Sequence, residues 1–513
     1  MIFHIFRKDT RRLWPAVVLN AVTLGALSWH DRSRSDWLPG PTEGYLSLLA
    51  PLVAALLLAL AVEQEPIAGD RQFWLTRPYS RGALLGAKLL FAAAFVHLPW
   101  LVSDCWILAA HSFAPAEYAG HLLGRQIVLA GALTLPAMAL AALVRSFAQF
   151  VMELVAVLAL LLILGGSLGS ERGFYVYWEP FTTVRRDALV LVVAAACAAI
   201  LAMQYLGRRI ASSRALGAAA AAGSALVYTL FLPHTAMAIR VATHGAAVAP
   251  AIRLDPAATD IPKWFGGRDV SVALPIAVEG VAAGPVRLDA LRSEIEAANG
   301  ARYADAMVTS RQSYERMPYR AGIAGPVSGG RPRSLHLSFE PRTYAALEHS
   351  LVTIRGEAGA TLFRTRESAW MGIGERRLVP GAGWCSTSIT EDRFAQRIKV
   401  MCESPEERGV VRARLWSPDT GRDWKMTLMP RRPAGGPLSL DLSPLARAQY
   451  TWDIAPEPAD SRDTWRVPAG LVANARIEVT PDEITGYAAL RYEFRDIDLR
   501  KYRVAPPKPP VAR

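Results

Sequence analysis

The chain has 513 residues, 57 Lys and Arg against 45 Asp and Glu, and a formal net charge of +12. That length exceeds one ordinary domain, and the long apolar runs lie almost entirely before Arg240. The excess of cations does not indicate nucleic-acid binding, because before Arg240 the arginines collect in loops between apolar runs, a pattern of membrane orientation.

Residues 1–12 are expected to form a short amphipathic helix in the cytoplasmic interface, with Ile2, Phe3, Ile5 and Phe6 ahead of Arg7, Lys8, Arg11 and Arg12. A transmembrane region over 13–239 follows, with seven apolar runs at 13–29, 45–62, 89–110, 123–144, 147–168, 188–206 and 216–237. Each approaches the ~20 residues needed to cross ~30 Å of hydrocarbon. The first is read as a retained span, since Ser28-Trp29-His30-Asp31-Arg32 offers no small-x-small cleavage site. The basic residues 7–12, then Arg71, Arg77, Arg81 and Lys88, then Arg145, then Arg208, Arg209 and Arg214 place the N-terminus in the cytoplasm. Arg32, Arg34, Arg172, Arg185 and Arg186 run against that majority. An odd number of spans puts everything after about Arg240 outside the cytoplasm.

Between the second and third runs lies a charged, turn-punctuated segment containing Glu65, Gly69, Asp70, Trp74, Leu75, Thr76, Arg77, Pro78, Ser80, Arg81, Leu84, Leu85, Ala87 and Lys88. In that spacing, after an interfacial helix and two spans, the first 206 residues resemble the permease subunit of type-2 ATP-binding-cassette exporters. The seventh run and the region beyond it depart from that family's usual six spans. The resemblance implies a dimer with itself or a related permease, driven by a separate cytoplasmic ATP-binding-cassette ATPase that carries the ATP. A helix over 65–73 would present Glu65, Asp70 and Arg71 to that partner. Phe73 and Trp74 would anchor it as buried aromatics do at interfaces, flanked by Arg77 and Arg81. The other reading is an ordinary basic loop, which would require neither Trp74 nor the prolines. No ATPase motif, cofactor site or metal-ligand cluster occurs in the chain: residues 82–88 lack phosphate-loop spacing, so the chain is read as not itself an enzyme.

Ionisable groups at membrane depth tend to face protein or water. His97 and Asp104, seven residues apart on one helical face, and Glu153 are therefore candidate pathway residues, with helix-to-helix polar contacts as the alternative. Gly165-Gly166-Ser167-Leu168-Gly169 fits a nucleophile-elbow pattern, but it ends an apolar run, where Gly and Ser serve packing. The aromatic cluster Phe174, Tyr175, Tyr177, Trp178 and Phe181 is read as an outer interfacial or re-entrant element.

A linker is expected over 240–262, then an all-β extracytoplasmic region over 263–503, built as one or two β-sandwiches with a division between Arg366 and Pro380. A Pro-rich, extended tail over 504–513 follows. Cys105 and Cys197 fall in apolar runs. Cys385 and Cys402 fall in two neighbouring strand-like runs, where an oxidising compartment would favour a disulfide over two free thiols. The whole reads as a multi-pass inner-membrane permease in contact with lipid. The alternative is a membrane assembly or signalling component whose external domain binds an envelope protein.

Overall fold

The computed structural model describes residues 1–32, 41–65, 80–169, 179–207, 209–230, 233–246, 250–256, 270–280, 285–305, 319–324, 333–391, 396–405, 409–421, 423–428, 444–455, 466–468, 472 and 474–504. The helical region comprises α1 (Ile2–Arg32), α2 (Pro41–Glu63), α3 (Arg81–Ala110), α4 (Pro115–Leu143) and α5 (Phe147–Gly169). It continues with α6 (Glu179–Ala202, extended by a π turn over Met203–Gly207), α7 (Ile210–Leu230) and α8 (Pro233–His244).

Four helices, rather than the expected seven, are long and apolar enough to span a membrane among the described residues: Arg81–Ala110, Pro115–Leu143, Val184–Gly207 and Ile210–Val227. The runs not among them are those of α1, α2 and α5. Helix α1 carries buried Asn20, Thr23 and Ser28 in its apolar run, which lowers its mean hydropathy. Of the 23-residue helices α2 and α5, the apolar stretches among the described residues are Leu48–Glu63 and Phe147–Ala159. The seventh run is represented by Ile210–Val227, and a new helix begins at Pro233.

Residues 1–12, expected as an interfacial helix, run on into the first apolar run: residues 2–32 form one helix with Pro15 inside it. Ser80 starts α3, its hydroxyl accepting from Ala83 N–H at 3.2 Å.

Helices α1 and α3 lie side by side and parallel. Asp9 meets Lys88, Asn20 Nδ2 donates to Phe95 O at 2.9 Å, and Ser28 touches Ser103 through their hydroxyls. These contacts nearly keep one sequence offset. Leu24, Ala54, Leu58, Phe91, Met138 and Leu201 contribute to the bundle core.

The C-terminal region is β-rich. Its strands are β1 (Ala251–Leu254), β2 (Val270–Glu279), β3 (Val286–Ala297), β4 (Arg302–Asp305), β5 (Tyr319–Ala324), β6 (Arg333–Phe339), β7 (Leu351–Thr365) and β8 (Ala369–Gly372). They continue as β9 (Arg376–Val379), β10 (Gly383–Glu391), β11 (Gln396–Ser404), β12 (Gly409–Trp416), β13 (Asp423–Leu428), β14 (Ala446–Ala455), β15 (Arg466–Pro468) and β16 (Arg476–Asp498). A short helix, α9 (Pro341–Leu347), precedes β7.

A central sheet in the order β13-β12-β16-β7-β3-β4, with β8 also on β16, is faced by two smaller ones, β1-β2-β6-β5 and β15-β14-β11-β10-β9. The first smaller sheet packs Val272, Leu274, Leu337 and Phe339 against Ile354, Leu490 and Phe494. The second packs Cys385, Ile398 and Val400 against Val411, Leu415, Ile477 and Val479. The 23-residue β16 therefore contributes to both cores. It pairs with β12 up to Glu483 and with β7 from Ile484. Residues 251–254, inside the expected linker, form β1 by pairing with the end of β2.

Candidate functional site

The most concentrated chemistry among the described residues lies where α1, the end of α2 and the start of α3 converge. Lys88 Nζ donates to Asp9 Oδ2 at 2.7 Å and also contacts Glu65. Lys8 reaches Asp9 Oδ1 at 3.4 Å and also pairs with Glu65. Asp9, Glu65 and Lys88 are 0%, 4% and 1% exposed. Two cations against two anions leave the site electrically balanced, the condition under which charges tolerate burial.

The π turn at the end of α6 adds Gln204 and Tyr205. Both are buried, and neither the Gln204 amide nor the Tyr205 hydroxyl has a hydrogen-bond partner among the described residues. Tyr205 lies within electrostatic reach of Asp9. Arg81 Nη1 donates to Leu206 O at 2.8 Å, supplying a cation to the last carbonyls of that helix.

This geometry corrects one expectation. Glu65 is not displayed to a partner but buried between two lysines, because a carboxylate that close to Lys88 gains more from the ion pair than from solvent. Asp70, Arg71, Phe73, Trp74 and Arg77 lie outside the described residues. What the structure provides is the frame around them: Glu65 before the segment, and Arg81 and Lys88 after it, are all tied into the helices.

A second polar layer crosses the middle of the bundle. The π turns Ala93–His97 in α3 and Ala130–Thr134 in α4 meet through His97, whose Nε2 accepts from the Thr134 hydroxyl at 3.1 Å. His97 Nδ1 donates to Gln126 Oε1 at 2.9 Å. Such turns widen the helix and often accompany functional sites. Two turns further along α3, buried Asp104 receives Arg125 Nε at 3.0 Å and Nη2 at 3.2 Å, a bidentate pair. His97 and Asp104 thus both bond α3 to α4, whereas Glu153 lies exposed on α5 and belongs to neither layer. Ser167 is an interior residue of helix α5 and not part of a strand-to-helix elbow. The aromatic element falls mostly at 170–178, outside the described residues; Phe181 lies in α6.

At the far end of α3 the helical and β-rich regions join. His111 Nδ1 contacts Glu403 Oε2 at 2.8 Å, with both side chains buried. Trp384 Nε1 donates to Ser112 O at 3.4 Å, and Leu445 packs among Ile107, Leu108, Phe113 and Leu122. Trp384 and Glu403 face each other across β10 and β11, next to the opposed pair Cys385 and Cys402, which form a disulfide. Gly383, with φ of 85°, is required there, since a Cβ would stand 2.0 Å from Glu403 O. A second joint sets Met237 and Arg240 of α8 on Tyr487 of β16. Lys88 and His111 are 23 residues apart, about 35 Å of helix, so the β-rich region sits at the opposite end of α3 from the ion cluster.

The sequence reading missed Asp9, Gln126, Thr134, His111 and Glu403, whereas Asn20 and Gln204 stand out as polar groups within apolar runs. The signal available in advance was Lys88 itself, a cation inside an otherwise apolar helix, which requires an anion nearby.

Comparison with protein-family models, with curated proteins and with solved structures gives no match to this chain. The chain is a membrane-protein candidate by its apolar helices, and its disulfide belongs to an oxidising environment.

Proposed function

We propose that this chain is the membrane-embedded permease subunit of an ATP-binding-cassette exporter, acting as a dimer and driven by a separate cytoplasmic ATPase. In this reading α1, α2 and α5 join the four more apolar helices in the bilayer, the N-terminus is cytoplasmic and the β-rich region lies outside the inner membrane. The observation that carries the proposal is the buried Asp9–Glu65–Lys88 cluster. It ties both ends of segment 66–79 to α1 and α3, with Arg81 bonded to the end of α6, so a push on the segment passes directly to membrane helices. An ordinary loop needs no such anchorage.

The test is mild detergent purification of the tagged protein from its native host. A stoichiometric ATPase, lost when Trp74 and Arg77 are replaced, is the expected result. With Lys88→Met the ATPase should still bind, but its hydrolysis should no longer respond to the permease. A stable, folded protein that never recruits an ATPase would overturn the reading.

The His111–Glu403 joint favours one second reading, in which the spans relay the state of an external binding module. Co-purification of an envelope protein alone would select it.

A further inference from the structure

The first three turns of α1 carry a cost that the fold does not explain. His4, Arg7, Lys8, Arg11 and Arg12 line one open groove. Arg7 and Arg11 stand four apart on a helical face, where like charges repel. No acidic residue occupies the first turn, although that end of a helix favours anions. Asp9 points the other way and is taken by Lys88, and only Lys8 of the lysines and arginines here has an ion pair among the described residues.

Beside the cations stand exposed Met1, Ile2 and Phe3, the last 76% exposed. Phe3 and Phe6 line a second groove continuous with the first through His4, Arg7 and Arg11. Further along come exposed Trp14, then Val18, Leu19 and Val22, and finally exposed Trp29. Trp14 and Trp29 are 15 residues or about 22 Å apart, and such aromatics mark the edges of a bilayer. The cations therefore sit within about two turns outside the hydrocarbon, at headgroup depth.

We infer that the face of α1 formed by Arg7 and Arg11 with Phe3 binds the phosphate of an anionic phospholipid in the same leaflet. The guanidinium groups take the phosphate, and the apolar residues lie along the acyl chains. Charge complementarity selects the headgroup, and the adjacent exposed aromatic selects an amphiphile over a free anion. The inference depends on α1 lying in a membrane but not on the exporter reading.

The experiment reconstitutes the full chain in nanodiscs of mixed phosphatidylcholine and phosphatidylglycerol and weighs the lipids retained on ejection by native mass spectrometry. Wild type should enrich phosphatidylglycerol, and Arg7→Gln and Arg11→Gln should each lower that enrichment by about fivefold, the effect of one cation near an anionic surface. Arg145→Gln serves as a control with a basic residue elsewhere. Preference should fall as salt rises in wild type, a readout that needs no variant to fold. Equal retention of both lipids, an undiminished preference in the double variant, or displacement by inorganic phosphate alone would overturn the proposal. Displacement only by an acidic peptide would also overturn it, in favour of a protein ligand.

Discussion

Lys88 illustrates how a buried charge acts as a constraint more than as a source of stability. Its attraction to Asp9 and Glu65 offsets the loss of hydration of all three groups, and such balanced clusters are often no more stable than an apolar replacement. Breaking the balance is different. Lys88→Met leaves two buried carboxylates with Lys8 as their one remaining cation and should destabilise the helical region by about 3–5 kcal/mol. Adding Asp9→Asn and Glu65→Gln to Lys88→Met should recover most of that loss. Thermal unfolding in detergent of the single and triple variants checks the sign: if the triple variant is no better than the single, the cluster is not the cause. The cluster was only partly legible in the sequence. Lys88 stood out within its helix, but Asp9 is 79 residues away in a run of cations where it read as incidental. Glu65 was assigned outward because it opens a turn-rich charged segment, and no local pattern shows that two lysines converge on it.

At the scale of elements, helix α4 meets α6 through Gly131, where a Cβ would stand 2.7 Å from Val190 Cγ1 and 3.2 Å from Ala194 Cβ. Small residues at such contacts let membrane helices approach closely. Gly131→Leu should force the pair apart at a cost of about 1–3 kcal/mol, and Val190→Ala should restore part of it. Unfolding midpoints of the single and double variants measure this, and an equal loss in both would show that the contact is not limiting. In the β-rich region the disulfide closes a sequence separation of 17. Replacing both cysteines with serine should remove about 3 kcal/mol, read as earlier unfolding of that region in unreduced samples. The strands themselves were readable as short alternating runs, but β16 was not. Its sequence reads as two runs, Ala475–Val479 and Ala488–Phe494, because Pro481 and Gly486 between them look like turn residues. The chain stays extended because this is where β16 exchanges β12 for β7 as partner, and a bulge between Ile484 and Gly486 absorbs the irregularity. A helical first half and a β-rich second half followed from composition, whereas the joints His111–Glu403 and Arg240–Tyr487 depend on contacts between distant residues.

For the whole molecule, the exchange point on β16 is also where the two β cores are held in register. Asp482 is buried and accepts from Arg412 Nη2 and from the Thr365 hydroxyl, both at 2.8 Å. Beside it, the hydrogen bond from Arg364 holds the Glu483 carboxyl below its usual range against the opposing effect of desolvation, with a further hydrogen bond from Arg366 on its side. A depressed folded-state value means the stabilisation is complete above the unfolded carboxylate range of about 4.3. It is lost as the pH falls through the lowered value. Tryptophan fluorescence of the full chain should therefore stay constant from neutral pH to about 5 and change below about 4. An Arg364→Gln, Arg366→Gln variant should begin its change at higher pH. Identical acid transitions in the two proteins would remove Glu483 from the explanation.

The position of β16 in the chain has a consequence for biosynthesis. Every other strand of both cores precedes it, yet Ile477 and Val479 complete one core while Leu490, Tyr492 and Phe494 complete the other. A ribosome that has delivered everything up to residue 475 has released more than 200 residues that can close neither core. Their apolar faces wait in the open until one final extended segment arrives and seals both together. Assembly of the β-rich region thus waits on β16, and the interval before that strand emerges is when the nascent protein most needs shielding from its neighbours.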